Sequence, residues 1–289
     1  MIKTLIKDPR HYQLATLSAL LVFGVTSRAF AISPVQIAAI FAAALFTQYL
    51  GSLLSAGRFD PRSAMITSLS LSLLLRSDDL APLMIAAAIG VGSKFMLRLY
   101  GKHIFNPANI GIVSLLILSD TIMPGAAWTT PGQWGAALWL AAALAGAGFF
   151  VTYRAARLDV PLVFLGTFAA IIIARALYLG DPLAIPLLRL QNGALVLFAF
   201  FMISDPKTTP DGAIARAAFA VCAAVAAYVL SYHYFEPDGM FYALAGLCVL
   251  RPLFEILDPA PHYRWGDPAP PLRLPRFPGM RRPHPLPAE

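Results

Sequence analysis

Charge is scarce in this chain. Only 13% of its 289 residues are Asp, Glu, Lys or Arg, while 58% are hydrophobic and the mean hydropathy is +0.68. That balance excludes a soluble domain, whose interior at this length cannot hide so much apolar surface. Cysteine is nearly absent. Cys222 and Cys248 both lie inside apolar runs, so there is no disulfide framework, no Cys-x-x-Cys and no iron–sulfur ligand set. No Ser-His-Asp set, metal-ligand cluster or paired carboxylate occurs at a useful spacing, which excludes hydrolysis of the soluble type. Gly90-Val-Gly-Ser-Lys94 is not a phosphate loop, because its spacing is wrong and it sits within an apolar run. The roughly 10-residue alternating strands of an outer-membrane barrel are missing too.

Long apolar runs are what the chain does have, and they predict an all-α integral membrane protein. Ten segments follow: 12–31, 35–55, 63–75, 80–99, 109–122, 134–153, 160–178, 194–203, 213–232 and 240–256. The first ends in Ala29-Phe-Ala31, which has the form of a signal-peptidase site, yet the run is too long for a signal h-region. An uncleaved first span is expected. Three segments, 63–75, 109–122 and 194–203, reach only about 15–21 Å at 1.5 Å per residue, against a hydrocarbon core of about 30 Å. Either polar flanks complete them, or they are half-helices beside unwound backbone that lines a cavity.

Positive charge sets the orientation. With the N-terminus inside, 17 Lys and Arg fall on the inner side: Lys3, Lys7, Arg10, Arg58, Arg62, Arg98, Lys102, Arg154, Arg157, Lys207, Arg216 and six arginines from Arg251 onward. Only Arg28, Arg76, Arg175 and Arg189 fall outside, and Lys94 lies within a span. Both termini are therefore expected in the cytoplasm, and the net charge of +7 speaks of orientation and not of nucleic acid.

The chain also repeats itself. His103-Ile-Phe-Asn-Pro-Ala-Asn109 is echoed by His233-Tyr-Phe-Glu-Pro-Asp-Gly239, and Leu75-Arg-Ser-Asp-Asp-Leu-Ala-Pro82 by Ile203-Ser-Asp-Pro-Lys-Thr-Thr-Pro210. Five spans per copy is an odd number, so the second copy inserts upside down. This predicts a cytoplasmic N-terminus (1–11), a first five-helix repeat (12–122) and an outer linker (123–133). A second, inverted five-helix repeat (134–257) and a Pro- and Arg-rich cytoplasmic tail (258–289) complete the chain. Inversion brings one turn of each copy to each face. The inner mouth gathers Lys102, His103, Asn106, Asn109, Ser204, Asp205, Lys207 and Thr208, a set of amides, hydroxyls and cations suited to an anionic or imide-bearing ligand. The same residues are equally the form of helix caps and turns. Lys94 either snorkels to the inner surface or contacts a ligand in the cavity. His103 and His233 fall at opposite faces and cannot share one haem.

At these residues the chain resembles a known family. Gly101-Lys-His-Ile-Phe-Asn-Pro-Ala-Asn109 and Phe201-Met-Ile-Ser-Asp-Pro-Lys-Thr-Thr-Pro210 are similar to RnfD, a membrane component of the Rnf electron-transport complex. They are equally similar to NqrB, its counterpart in the sodium-translocating NADH:quinone oxidoreductase. The resemblance covers about residues 12–258, and the short form looks most like stand-alone homologues found beside enediyne biosynthesis genes. It implies ten helices in a urea-transporter-like arrangement in the bacterial inner membrane. It also implies a bound flavin, FMN or riboflavin, that relays electrons to and from flavin or iron–sulfur partner proteins. Complete members carry FMN esterified to a threonine in a Gly-Ala-Thr-like motif of the outer loop. Here Gly125-Ala126 is followed by alanine, so the implied flavin is non-covalent, with Thr129 and Thr130 as the covalent alternatives. The other reading of the same architecture is a channel or carrier for a small solute without redox chemistry.

Overall fold

The computed structural model describes residues 8–27, 30–55, 57–130 and 138–263. Lys3, Lys7, Arg28, Ala29, the end of the outer linker and the tail from Arg264 lie outside the described residues. In the first half, α1 is Pro9–Thr26, α2 is Pro34–Leu54, α3 is Arg62–Leu74, α4 is Leu80–Met96 and α5 is Pro107–Thr121. In the second half, α6 is Leu138–Arg154, α7 is Asp159–Leu179, α8 is Ala184–Leu190 and α9 is Gly193–Leu197. A π-helical turn, Phe198–Met202, prolongs α9, and α10 (Ala213–Tyr232) and α11 (Gly239–Leu257) follow. Two minimal antiparallel ladders link the helices. Leu75–Arg76 (β1) pairs with Trp128–Thr129 (β4), and Arg98–Leu99 (β2) pairs with Lys102–His103 (β3).

Among the described residues four helices, α2, α7, α10 and α11, are long and apolar enough to cross a membrane, and α4, α5 and Gly193–Met202 are apolar but shorter. At most 39% of each long helix's most apolar window is buried inside the molecule, so the rest is apolar surface facing outward. This is an all-α, multi-pass membrane protein. The loop expected between Tyr178 and Ala194 contains one further helix, α8, whose Ile185, Leu187 and Leu188 are exposed.

Helix starts follow local chemistry. Ser33 and Gln36 close a capping box on α2, and Asn106 caps α5 by accepting from the Asn109 amide. Two copies of Asp-Pro-Arg open α1 and α3. In each, the aspartate accepts from the amide and guanidinium of the arginine two residues on. The arginines then cross over: Arg10 reaches Asp60 at 2.9 Å and Arg62 reaches Asp8 at 2.8 Å. Burial pushes the Asp60 carboxyl up, but the Arg62 hydrogen bond and Arg10 outweigh it and hold it down to about 2.

Several cations assigned to loops are in fact buried. Arg76, expected outside, donates to the carbonyls of Ser72, Leu73 and Leu75. The physical reason is the shortness of α3: its last carbonyls have no helical partner, and the guanidinium supplies donors where water is scarce. Lys94 does not snorkel. Its ammonium donates to Gln48 Oε1 (2.6 Å) on α2 and Ser63 Oγ (3.2 Å) on α3, and Gln48 in turn donates to Ser52.

The two halves pack alike. α2 lies on α4 and α4 on α5, as α7 lies on α10 and α10 on α11. α1 meets α6 and α5 meets α11 across the middle. α4 and α5 approach backbone to backbone. A Cβ on Gly90 would sit 2.3 Å from the Pro107 carbonyl oxygen, and one on Gly111 would sit 2.5 Å from that of Ala86. This approach fixes where α5 begins, and with it Asn106.

Candidate functional site at the junction of the two halves

A cavity of about 80 Å³ lies where the halves meet. The start of α1 (Pro9, Arg10, Gln13) and one face of α3 (Ser63, Ile66, Thr67, Ser70) form part of its wall. His103 from β3 and Asn106–Ala108 from the start of α5 add to it, Val151, Thr152 and Ala155 come from the end of α6, and Phe200, Phe201 and Ser204–Lys207 close it from the π turn onward. Both halves therefore contribute.

Of the residues singled out from the sequence, His103, Asn106, Ser204, Asp205 and Lys207 line this one cavity. Asn106 joins the halves, because its amide Nδ2 donates to the Met202 carbonyl and to Asp205 Oδ2, both at 3.3 Å. Its side chain thus caps α5 and bridges to the second half at once. His103 Nε2 lies 3.6 Å from Asp205 Oδ2, an ion-pair distance too long for a hydrogen bond, and this buried nitrogen has no hydrogen-bond partner. Burial pushes the Asp205 carboxyl up. His103, the Lys207 amide and the Lys207 charge outweigh that and hold it below the usual carboxylate range. The turn after Ser204 is largely self-satisfied, since Thr208 and Thr209 both donate to the Asp205 carbonyl.

Lys94, Lys102, Asn109 and Thr208 do not line the cavity. Asn109 is fully buried, donates to the Phe241 carbonyl at 3.1 Å, and leaves Oδ1 without a partner. Lys102 belongs to a separate cluster centred on Asp211. Asp211 takes Lys102 Nζ at 2.6 Å, Arg157 at 3.1 Å and His262 Nδ1 at 3.0 Å, while Glu255 lies 3.3 Å from Lys102. Burial raises the Asp211 carboxyl, but Lys102 first, then His262 and Arg157, hold it below its ordinary value. Arg251 is fully buried one helical turn before Glu255. It donates through Nη1 to the Lys207 carbonyl, and its Nε and Nη2 have no partner.

Thr129 and Thr130 stand apart from the cavity. Thr129 is on β4, where its hydroxyl donates to Asp238 Oδ1, and the Thr130 amide donates to the Leu74 carbonyl at 2.9 Å. Burial raises the Asp238 carboxyl, with the Thr129 hydrogen bond opposing and Asp120 adding to the rise. No group of three or more His, Cys, Asp or Glu able to hold a metal occurs among the described residues.

Sequence reasoning missed Arg10, the α3 serines and threonines, Asp211 and Arg157. Asp-Pro-Arg occurring twice, and Ser63, Thr67 and Ser70 recurring every three to four residues along one helix face, were available signals. Nothing in the sequence pointed to Asp211, whose partners come from positions 102, 157 and 262.

Residues 126–260 match the model of the NQR2, RnfD, RnfE family. Over 134 residues the chain is 32% identical to RnfD of the ion-translocating oxidoreductase complex of Escherichia coli O1:K1, and 32% identical to that of strain S88. It is 31% identical to that of strain K12. Each match covers 46% of this chain and 36% of the relative, so the shared region spans about a third of those proteins. The family-model match takes in the turn at Ser204–Pro210 and leaves the Gly101–Asn109 stretch outside.

Proposed function

We propose, on the premise that residues 126–260 belong to the NQR2, RnfD, RnfE family, that this chain is a membrane component of an ion-translocating, flavin-dependent redox system. It would work beside other redox proteins in a bacterial inner membrane. The observation that carries the reading is the shared cavity: Asn106 from one half and Asp205 from the other meet by hydrogen bond at its wall. The like packing of the two halves supports ten crossing segments in two inverted five-helix repeats, bounded as the sequence suggests and with both termini cytoplasmic. Reporter fusions after Lys102 and after Trp134 should give opposite sides of the membrane. The same side for both would defeat the inversion.

The lining suits the imide edge of a flavin in its chemistry. The Asp205 carboxylate can accept from a ring N–H and the Lys207 ammonium can donate to a ring carbonyl, while Asn106 and Ser204, whose hydrogens go to Met202, Asp205 and Phe200, hold the wall in place. A bound flavin would supply reversible one- and two-electron chemistry. The residues themselves would orient the ring: Asp205 keeps its charge through His103 and Lys207, and the Phe200 and Phe201 side of the cavity excludes water. The volume does not yet suit the rings, since ligand pockets run to about 300–1,000 Å³. Flavin here requires the mouth to open. That volume favours the second reading, a pathway for a small polar solute.

Absorbance of the purified protein separates the two, since a flavoprotein is yellow and a solute channel is colourless. A bound flavin is expected to be released by denaturation, with no fluorescent band on a denaturing gel. A band lost in Thr129→Ala or Thr130→Ala would make it covalent. Asn106→Ala should lower melting stability by about 0.5–2 kcal/mol and bound flavin per folded protein by roughly five- to 150-fold. Full flavin occupancy in that variant would leave Asn106 as a helix cap alone.

A further inference from the structure

Beyond α11 the chain turns back toward the start of α10. The Asp258 carboxylate accepts from the amides of Ile214 and Ala215 at 2.8 and 3.1 Å, which pins the exit of α11 to the start of α10. From there Pro259–Tyr263 runs to Asp211, which takes His262 Nδ1 at 3.0 Å and the Tyr263 amide at 3.3 Å. Lys207 Nζ donates to the Tyr263 carbonyl at 2.9 Å, and the Arg157 guanidinium lies 4.9 Å from the centre of the Tyr263 ring. Lys207 also lines the cavity. The phenol stands within electrostatic reach of groups on both of the cavity's flanks. Burial pushes it up to about 12, Arg157 opposes, Asp8 and Asp205 add to the rise and Arg10 opposes.

We propose that Pro259–Tyr263 is a latch across the mouth of the cavity, with Tyr263 as its closing side chain, and that a ligand enters only when this segment leaves Asp211 and Lys207. The ligand is the one read above, so that part rests on that reading, whereas the closure itself does not. Three observations converge. The closed volume is below what a ring-bearing ligand needs. The hydrogen bonds of the segment to Asp211 and Lys207 and the cation–π contact of Tyr263 with Arg157 are of the kind that open locally without unfolding the core. And Lys207 serves both sides: while its ammonium holds the Tyr263 carbonyl, that hydrogen is unavailable to a carbonyl or oxyanion in the cavity. Latch and ligand thus share one ammonium of three hydrogens, and the latch sets where it is held.

Thiol accessibility tests this in the full chain in detergent, with Cys222→Ala and Cys248→Ala as background. Ser70→Cys places a single thiol on the α3 wall, buried in this structure, and Leu54→Cys places one at a position 90% exposed. With the native latch, N-ethylmaleimide should label Ser70→Cys slowly and Leu54→Cys fast. The pair His262→Ala/Tyr263→Ala should speed Ser70→Cys about tenfold, equivalent to about 1.4 kcal/mol of closure, without changing Leu54→Cys. Tyr263→Phe, which keeps the ring, should stay slow. Thr152→Cys, on the α6 wall, repeats the test should Ser70→Cys not fold. An unchanged rate in the double variant, or a native latch that labels as fast as Leu54→Cys, overturns the latch. No flavin or solute enters the assay, so its failure and that of the redox reading are separate results.

Discussion

Asp211→Ala should destabilise the folded protein by about 3–5 kcal/mol, the cost of leaving buried cations without their carboxylate. Lys102 and Arg157 are 3% and 5% exposed at their side chains, and both turn to this one aspartate. Melting can be followed with a thiol-reactive dye in a Cys222→Ala background, because Cys222 is exposed whereas Cys248 is fully buried until the bundle opens. At this chain length the loss corresponds to a fall of roughly 10 °C. Adding Lys102→Met should recover part of it, since one of the stranded charges is then gone. The pH dependence carries a sign. The Asp211 carboxyl is held below its ordinary 3.8, so its contribution is full above that value and is lost as pH falls through the lower, folded one. Native protein should therefore lose melting stability below about pH 4, and Asp211→Ala should lack that component. A melting temperature for Asp211→Ala within a degree or two of native would show that the cluster contributes little.

Gly90 should tolerate nothing larger. Even a methyl group there would meet the Pro107 carbonyl oxygen at 2.3 Å, and backbone cannot swing away as a side chain can. Gly90→Ala is expected to cost about 1–3 kcal/mol, and Gly90→Leu to yield no monodisperse protein. Gly92 supplies the control. Its added methyl would meet only a Thr47 methyl at 3.7 Å, so Gly92→Ala should purify and melt like the native chain. The same displacement of α5 in Gly90→Ala should loosen Asn106 from Met202 and Asp205 and so lower ligand occupancy as well as stability. Occupancy unchanged alongside a lowered melting point would mean that α5 is free to move without disturbing the site.

Much of this was legible because membrane helices are written in composition. Apolar runs locate the helices, and Asn106-Pro107 announces the start of α5 by the chemistry of capping. The meeting of Asn106 with Asp205 followed from placing both turns on one face. What stayed hidden has a common cause. Arg76, Arg157 and Arg251 count in the sequence as charges at the membrane faces, because hydropathy records where polar residues fall along the chain and not which of them are covered by other segments. Each proves at least 95% buried in the structure. Lys94 shows the same limit from inside a helix: its partners Gln48 and Ser63 sit on two other helices, and their register is set by packing. The position of Asp211 depends on three segments converging, which no local pattern encodes.

The π turn at Phe198–Met202 carries a consequence for how the two halves compare. The Ile203 amide reaches back five residues to the Phe198 carbonyl, where an α-helix would reach back four. One extra residue is thus held within a single turn, and the helix faces before and after it are offset by about 100°. All five side chains, Phe198 through Met202, are buried, as are the eight successive residues Thr67–Leu74 of α3, so both segments lie inside the bundle. Its counterpart α3 runs as a plain α-helix. The proposed repeat would therefore need a one-residue gap here. A chain shortened by that residue would close an ordinary turn and swing Ser204 and Asp205 out of phase with Asn106.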